Sequence, residues 1–271
     1  MQKIILITGS TDGIGLATAR MLVSQGHHVL LHGRNPEKMA DVEKMLSALP
    51  GDGRVESYIA DLSRMADVET LAKAVTERHT KLDVLINNAG IFRAPRTITQ
   101  EGLDVRFAVN TIAPYLLTQR LLPLMGASGR VVNLSSAAQS AVDPEALTGR
   151  VKISDDFAAY AQSKLAITMW SRVMALSLKD GDPAIIAVNP GSMLGTKMVK
   201  QGFGVAGNDI HIGADVLIRA ALSDEFETAS GLYFDNDSGQ FASPHPDALD
   251  PQKSEEIVRL IESACFESSH T

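Results

Sequence analysis

The chain has 271 residues, of which 45% are hydrophobic, and its 32 acidic against 25 basic residues give a formal net charge of −7. This balance excludes an extended nucleic-acid surface, because displacing the counterions of a phosphate backbone requires clustered Lys and Arg. The single cysteine, Cys265, excludes an intrachain disulfide, and no run approaches about 18 uncharged apolar residues, so we expect a cytoplasmic protein without a membrane span.

The first predicted elements are a strand, a glycine-rich loop, a helix and a second strand. Ile4–Ile7 is typical of a strand buried on both faces, Leu16–Gln25 is amphipathic, and His27–Leu31 is a second strand candidate. Glycines let a backbone approach a pyrophosphate, and the helix start supplies unpaired N–H groups. We therefore predict a dinucleotide-binding unit, with a tight turn that binds nothing as the alternative. The predicted cofactor residues of the loop are Gly9, Ser10, Thr11, Asp12, Gly13, Ile14 and Gly15.

Strands and helices continue to alternate along the chain. This order predicts a single α/β domain over residues 1–271, with a doubly wound parallel sheet (a Rossmann fold) and helices on both faces. We expect Pro114 and Pro123 to disturb the predicted helix over 103–125. The remaining predicted strands are 55–60, 84–86, 130–134, 184–188 and 231–234, and the other predicted helices are 36–49, 65–80, 156–179, 212–222 and 254–265.

Two predicted connections are longer than a compact domain needs. Residues 137–155 are polar, whereas residues 191–211 contain five glycines together with apolar side chains such as Met198 and Phe203. Both follow the carboxyl ends of predicted strands, where open α/β sheets bind ligands. We expect both to be substrate-loop segments, and we expect 191–211 to supply an apolar pocket wall as a lid. A plain mobile loop is the alternative.

Tyr160 and Lys164 lie four residues apart in the predicted helix, so both side chains project from one face. A phenol ordinarily loses its proton near ~10, and a nearby ammonium lowers that pKa. Such a tyrosine can give a proton to a carbonyl oxygen or take one from an alcohol. The alternative is a half-exposed helix face without chemistry, because a Tyr and a Lys at this spacing occur often by chance.

Four further motifs accompany this pair: Asn87–Gly90, Asn110, Ser135–Ser136 and Pro190–Gly191. Each alone is compatible with an ordinary turn, helix or strand end. Together with the glycine loop they resemble the short-chain dehydrogenase/reductase family over nearly the whole chain. The resemblance implies a catalytic tetrad of Asn110, Ser136, Tyr160 and Lys164. It also implies cofactor contacts from Asp61, Leu62, Asn87, Ala89, Gly90, Tyr160, Lys164, Pro190 and Gly191.

The same resemblance implies a role for each member of the tetrad. Tyr160 is the general acid or base, and Lys164 lowers its pKa and bonds the nicotinamide ribose. Ser136 holds the substrate oxygen, and Asn110 steadies a water chain near Lys164. The family usually uses the second serine of the pair, which favours Ser136 over Ser135. The hydride chemistry belongs to the cofactor, while the protein supplies position and electrostatics.

Two features depart from the commonest pattern of the family. Ser136 and Tyr160 are 24 residues apart, whereas many members use about half that spacing. The long insert resembles the retinol-dehydrogenase-like branch. Members also often carry Thr four residues after the glycine of Pro-Gly, where this chain has Gly195 with Thr196 next. We therefore do not expect Thr196 to contact the nicotinamide carboxamide.

The end of the second predicted strand decides the expected cofactor. NAD-binding folds place an acid there to bond the ribose 2′-hydroxyl. This chain has His32-Gly33-Arg34-Asn35 and no acid before Glu37. Arg34 can pair with a 2′-phosphate, because its planar fork suits phosphate geometry. We therefore predict NADP, with an Arg34 that is solvated and stacked on adenine as the alternative.

These observations predict an NADP(H)-dependent oxidoreductase that interconverts a carbonyl and an alcohol, with a small and partly apolar substrate. No metal is implied. The alternative is a non-catalytic dinucleotide-sensing or scaffold protein, which would not need an intact tetrad. Reduction of an activated C=C bond is a second alternative, which Ser136 disfavours. The helix after Tyr160 carries Leu165, Met169 and Trp170, which could pack in the core or form a seam in a homo-oligomer; the core is the simpler expectation.

Overall fold

The computed structural model describes residues 1–267, which form one sheet of eight strands with helices on both faces. The strands are β1 (Ile4–Ile7), β2 (His28–Gly33), β3 (Arg54–Ile59), β4 (Val84–Asn87), β5 (Arg130–Leu134), β6 (Ala184–Asn189), β7 (Tyr233–Asp235) and β8 (Gln240–Ala242). The helices are α1 (Gly13–Ser24), α2 (Pro36–Ser47), α3 (Met65–Arg78), α4 (Val105–Phe107), α5 (Ala113–Leu121), α6 (Pro144–Leu147), α7 (Asp156–Ser177), α8 (Lys197–Phe203), α9 (Ile210–Leu222) and α10 (Pro251–Glu267).

The strand order is β3-β2-β1-β4-β5-β6-β7-β8, and every neighbouring pair is parallel except β7 with β8. The order reverses direction between β1 and β4, which leaves a crevice at the carboxyl edge of the sheet. The predicted doubly wound parallel sheet is therefore confirmed.

Apolar side chains of the central strands explain why both faces are covered. Leu6 and Leu85 pack into the cluster that includes α3, α5, α7 and α10. Ile5 and Ile7 pack into the opposite cluster, which includes α1, α2 and α9. Successive strand residues point to opposite faces, so a continuous apolar run serves two helix layers at once.

The predicted helix over 103–125 is interrupted at a position that matters for the site. A π-helical turn, Ala108–Ile112, lies between α4 and α5, and a short 3₁₀ turn, Leu122–Leu124, follows α5. Pro114 has no N–H to donate, so it is tolerated near the start of α5 rather than in its interior. Asn110 therefore lies within the π turn, a geometry that is common at functional sites.

Three further details differ from or refine the predicted elements. β8 was not predicted, because the three residues Gln240–Ala242 are too few to show a period. Residues 137–155 contain α6, and residues 191–211 contain α8. Leu165, Met169 and Trp170 of α7 are buried in the core cluster, which agrees with the expectation that they pack in the core. Within residues 1–267, no helix has both the length and the apolar character needed to cross a membrane.

Candidate active site

A cavity of about 750 Å³ opens at the carboxyl edge of the sheet. Loops after β1, β2, β3, β4, β5 and β6 line it, together with parts of α7 and α8. The predicted site residues that line it are Gly9, Thr11, Asp12, Gly13, Ile14, Gly15, Arg34, Asp61, Leu62, Ala89, Gly90, Ser136, Tyr160, Lys164, Pro190 and Gly191. Three predicted site residues, Ser10, Asn87 and Asn110, lie behind the lining.

The glycine loop after β1 uses its three glycines in different ways. A Cβ on Gly9 would lie 2.9 Å from the Cα of Ala89, and a Cβ on Gly15 would lie 2.4 Å from the Gly9 carbonyl oxygen. These two glycines therefore allow the loop to pack against β4 and α1. Gly13 has φ +53°, and a Cβ there would meet only Thr196, at 3.5 Å. Gly13 thus faces the open space in front of the α1 N-terminus, where a phosphate would fit.

Ser10 supports the glycine loop from behind instead of contacting the cavity. Its hydroxyl accepts a hydrogen bond from the His32 backbone N–H at 2.9 Å and donates to the His32 carbonyl at 3.3 Å. The side chain is fully buried. Ser10 does not line the cavity, because its hydroxyl is bonded to β2, and its predicted cofactor contact stays a prediction.

His32 is a buried residue that sequence reasoning did not select. Its Nδ1 accepts a hydrogen bond from the Gly9 backbone N–H at 3.2 Å, so Nε2 carries the proton and faces the Ala60 carbonyl oxygen at 3.2 Å. Burial lowers the pKa of His32 from 6.5 to about 4. His32 is therefore neutral at pH 7, and it holds the first glycine of the loop against β2.

Asp12 connects the glycine loop to two cations from other elements. Its carboxylate accepts from the Gly13 N–H at 2.9 Å and pairs with Lys38 Nζ at 2.7 Å and Lys197 Nζ at 2.6 Å. The pKa of Asp12 falls to about 2, because hydrogen bonds to these lysines and to Gly13 outweigh the opposing effect of burial. The two ammonium groups and one carboxylate leave a net positive charge beside the cavity.

The Asn-Asn-Ala-Gly segment after β4 divides its side chains between the core and the cavity. Asn87 points into the core and donates to Thr118 Oγ1 at 3.0 Å and to Asn133 Oδ1 at 2.8 Å. Asn87 does not line the cavity, and its predicted cofactor contact stays a prediction. Asn88, which was not predicted, lines the cavity and donates to the carbonyls of Thr8 and Gly9 at 2.9 and 3.1 Å.

The loops after β2 and β3 line the part of the cavity beside the first strands of the sheet. Arg34 follows β2 directly, is exposed, and makes no ion pair or side-chain hydrogen bond with other residues in the described range 1–267. Asp61 accepts two hydrogen bonds from Ser63, at 3.0 Å from its N–H and 2.8 Å from its hydroxyl. These bonds fix the turn that carries Asp61 and Leu62 into the cavity wall.

Tyr160 and Ser136 meet at the inner end of the cavity. Tyr160 is half-buried on the first turns of α7. Asp155 caps the N-terminus of this helix by accepting a hydrogen bond from the Ala158 N–H at 2.6 Å. Burial raises the pKa of the Tyr160 phenol, and a hydrogen bond with the Ser136 side chain acts in the opposite direction. The phenol is therefore protonated at neutral pH and can act as an acid.

Lys164 lies one helical turn from Tyr160 and is almost completely buried. Its Nζ donates to the Leu134 carbonyl at 2.6 Å and lies 5.7 Å from the centroid of the Tyr160 ring. Burial lowers the pKa of Lys164 to about 8, so the ammonium still predominates at pH 7. A Cβ on Gly90 would lie 3.6 Å from Nζ, which places the lysine at the cavity floor.

Ser135 and Ser136 have different surroundings although they are adjacent. The Ser135 hydroxyl donates to the Lys164 carbonyl at 3.1 Å and lies 2.7 Å from Thr168 Oγ1, so it packs against α7. The Ser136 hydroxyl lies beside Tyr160. The Ser136 carbonyl accepts from Tyr233 at 3.1 Å and from Gln139 at 2.9 Å, which fixes the residue's backbone. This geometry favours Ser136 for contact with a substrate oxygen.

Asn110 contacts the loop after β4 rather than Lys164. Its Oδ1 accepts from the Ile91 N–H at 2.8 Å, and its Nδ2 donates to the Ile91 carbonyl at 2.9 Å and to Ser163 Oγ at 2.9 Å. The Ser163 hydroxyl in turn donates to the Tyr160 carbonyl at 2.7 Å. Asn110 therefore clamps the residue after Gly90 and links it to α7, a role that the prediction of a water-holding amide did not include.

Residues of the segment 191–211 line one side of the cavity. Leu194 and Asn208 form a β-bridge that closes the base of the segment, and α8 lies between them. Thr196 caps α8 by accepting from the Val199 N–H at 3.2 Å. Its methyl group would lie 3.5 Å from a Cβ on Gly13, beside the glycine loop.

The donor set fits a dinucleotide phosphate cofactor. Gly13 leaves open space at the N-terminus of the 12-residue helix α1, where unpaired N–H groups and the helix dipole favour an anion. The net positive charge around Asp12 and the exposed guanidinium of Arg34 flank that space. No group of three or more His, Cys, Asp or Glu side chains within the described residues has a geometry that could hold a metal ion.

Comparisons with known proteins agree with this site. A family model described as short chain dehydrogenase matches residues 3–203. Retinol dehydrogenase 13 from Mus musculus is 30% identical over 277 residues, covering 96% of this chain and 81% of the mouse protein. The structure of an uncharacterised protein from Mycobacterium paratuberculosis superposes with a TM-score of 0.80 at 27% identity, covering 98% and 94% of the chains. The Pseudomonas aeruginosa RhlG/NADP active-site complex gives a TM-score of 0.69 at 26% identity, covering 88% and 95%.

Proposed function

The chain belongs to the short-chain dehydrogenase family, in its retinol-dehydrogenase-like branch, and from this premise we propose that it uses NADP(H) to interconvert a carbonyl and an alcohol with Tyr160 as the general acid or base. Family membership and the NADP-bound structural neighbour support an NAD(P)-dependent oxidoreductase. One observation carries the more specific proposal: Tyr160, Ser136 and Lys164 converge at one end of a cavity whose other end holds the glycine loop and Arg34.

In the proposed reaction, the substrate oxygen lies between the Tyr160 and Ser136 hydroxyls. Tyr160 gives its proton to the carbonyl oxygen during reduction and takes it back from the alcohol during oxidation. Ser136 donates a hydrogen bond to the same oxygen, which stabilises the negative charge that develops there. When bound, the nicotinamide supplies or accepts the hydride.

Lys164 has two proposed roles. Its ammonium lies on the same helix face as the phenol, where it stabilises the phenolate that remains after proton donation. It also holds the nicotinamide ribose, for which Nζ has donors left beyond its bond to the Leu134 carbonyl. Asn110 acts from behind, because it fixes the backbone of Ile91 next to the predicted cofactor residue Gly90.

The proposed preference for NADP rests on charge. Arg34 follows β2 and lines the cavity, and no acid occurs between it and Glu37. A guanidinium suits a 2′-phosphate, whereas an acid would be needed for the 2′-hydroxyl of NAD. The remaining predicted cofactor residues of the lining hold the dinucleotide between Arg34 and Lys164. The structural neighbour from Pseudomonas aeruginosa binds NADP, which supports the same choice.

We propose that residues 137–155 and 191–211 are the substrate segments. Met198 and Val199 of the second segment and Ala138 of the first segment line the same cavity as Tyr160, together with Phe92 and Phe157, and all five are apolar. The name of the mouse relative indicates an apolar alcohol for that protein. A partly apolar alcohol or carbonyl compound therefore suits the cavity of this chain.

The experiment that tests the proposal is NADPH consumption by the full chain with a panel of aldehydes and ketones. The proposal predicts turnover that is specific for NADPH and that stops when Tyr160 is replaced by Phe. Tight NADPH binding without turnover on any carbonyl compound would instead favour a dinucleotide sensor on the same fold.

A further inference from the structure

Phe92 occupies a position between Tyr160 and the segment that covers the site. Its ring meets the Tyr160 ring edge to face at a centroid distance of 5.4 Å and stacks on Phe203 of α8 at 5.7 Å with a 9° interplanar angle. Phe92 is 6% exposed, whereas Phe203 is 49% exposed. Phe92 is thus the middle ring of three, and Phe203 shields it from solvent.

Contacts on several sides fix the position of this ring. Asn110 bonds both the N–H and the carbonyl of Ile91, so the backbone directly before Phe92 is clamped to the π turn. A Cβ on Gly202 would lie 2.7 Å from Phe92 Cε1, so α8 approaches the ring edge as closely as a glycine permits.

Arg93 completes the attachment of α8 to this loop. Its Nη1 donates to the Gln201 carbonyl at 3.2 Å, and its Nε lies 3.4 Å from Asp156 Oδ2 at the start of α7. The guanidinium also lies over the Phe92 ring, 5.4 Å from its centroid. One short stretch, 92–93, therefore joins α8 to the helix that carries Tyr160.

We propose that Phe92 is a substrate-positioning residue, whose ring limits how an apolar group on the reacting carbon can pack beside Tyr160. Asn110 fixes the backbone of the preceding residue, Ile91, and α8 packs against the Phe92 ring itself. This inference rests on the proposed function and adds the residue that sets substrate shape. Its position predicts a preference for aldehydes and ketones whose reacting carbon carries an aromatic or other bulky apolar group, because such a group gains contact with the Phe92 ring.

The test compares Phe92→Ala, Phe92→Leu and Gly202→Ala with the wild type, using NADPH and two aldehydes, propanal and benzaldehyde. Phe92→Ala should lower the ratio of kcat/KM for benzaldehyde to kcat/KM for propanal about tenfold, because only the bulky group of benzaldehyde contacts the Phe92 ring. Any loss that arises through the Tyr160 ring should fall equally on both aldehydes. Phe92→Leu keeps an apolar wall and should give an intermediate ratio.

Gly202→Ala should also change the benzaldehyde-to-propanal ratio of kcat/KM, because a Cβ 2.7 Å from Phe92 Cε1 forces the ring or α8 to shift. Gly126→Ala is the matched control, since a Cβ there meets nothing within 4 Å and Gly126 does not line the cavity. The dissociation constant for NADPH, measured by calorimetry, should stay within about twofold of wild type in all variants, which excludes a general collapse of the site.

The outcomes separate this inference from the proposed function. Equal losses on both aldehydes, or an unchanged ratio in Phe92→Leu and Gly202→Ala, overturn the positioning role even if Phe92→Ala does not fold. A wild type that binds NADPH but reduces neither propanal, benzaldehyde nor any member of the wider carbonyl panel contradicts the proposed function itself, and this inference with it.

Discussion

Replacement of Arg34 by Ala tests the choice of cofactor, because the structure leaves this guanidinium exposed at the end of β2 without a competing carboxylate among the described residues. A charge-assisted hydrogen bond to phosphate contributes about 1.5–3 kcal/mol. At about 1.4 kcal/mol per tenfold, its loss should lower kcat/KM for NADPH by about tenfold to a hundredfold. The exposed position favours the lower end of that range, because solvent weakens the contact.

The assay measures kcat/KM with NADPH and with NADH for wild type, Arg34→Ala and Arg34→Asp. NADH has no 2′-phosphate, so its kcat/KM should barely change in Arg34→Ala, and Arg34→Asp should shift the preference towards NADH. Arg54→Ala is the matched control. Arg54 is also exposed, but it lies at the amino end of β3 and does not line the cavity. A wild type that already prefers NADH would contradict the assignment of Arg34 as the ligand of the 2′-phosphate. An equal loss of kcat/KM with both cofactors in Arg34→Ala would contradict it as well.

Three further predictions address the glycine loop, the buried histidine and the lysine. Gly13→Val should abolish NADPH binding, measured by calorimetry. Gly26→Val is the control and should leave binding unchanged, because Gly26 also has a positive φ and its surroundings are open. Equal binding in both variants would contradict a phosphate site at Gly13. Burial in the folded state lowers the pKa of His32 from 6.5 to about 4 and so keeps the ring neutral. This shift contributes about 3 kcal/mol to the free energy of unfolding. The contribution is present above pH 6.5 and is lost as the pH falls towards 4. Urea unfolding of His32→Asn should therefore show a smaller loss of stability on acidification than wild type, and parallel profiles would contradict this. For carbonyl reduction, kcat/KM should fall as the pH rises through about 8, where Lys164 loses its proton, and a flat profile up to pH 10 would contradict the ammonium's role.

The sequence predicted the glycine loop and the Tyr160–Lys164 pair of the lining because their motifs are local. Gly9, Gly13 and Gly15 lie within one loop, and Tyr160 and Lys164 lie one helical turn apart, so their relative positions follow from the element that carries them. The parallel sheet and both helix layers followed from continuous apolar runs that alternate with helical patterns. The sheet's carboxyl edge then brings the motifs together.

Contacts between distant segments were not predictable in the same way. His32 became part of the glycine loop only because β2 lies beside β1, and Lys197 reached Asp12 only because α8 folds back over the cavity. Each is an unremarkable residue in its own segment. Asn88 could have been found, since an amide directly after β4 is next to β1 in this strand order.

The inward turn of Asn87 and Asn110 has a different cause. Asn87 ends β4, and its side chain lies on the sheet face that α5 covers. There its amide donates to Thr118 of α5 and to Asn133 of the neighbouring strand β5. Asn110 is turned towards Ile91 by a π turn, whose extra residue per turn is not visible in an apolar pattern. Both residues therefore act on the site through neighbours, which a motif alone does not reveal.

The most direct measurement is the turnover of Tyr160→Phe with NADPH and the best aldehyde of the panel. The ring and its contact with Phe92 are retained, and only the hydroxyl that meets Ser136 is lost. We predict that kcat falls by a factor of about 10²–10⁴ while the dissociation constant for NADPH changes little. Tyr115→Phe is the control, because it removes a hydroxyl that bonds Glu262 away from the cavity and should leave kcat unchanged. A near-normal kcat in Tyr160→Phe would contradict the assignment of Tyr160 as the proton donor.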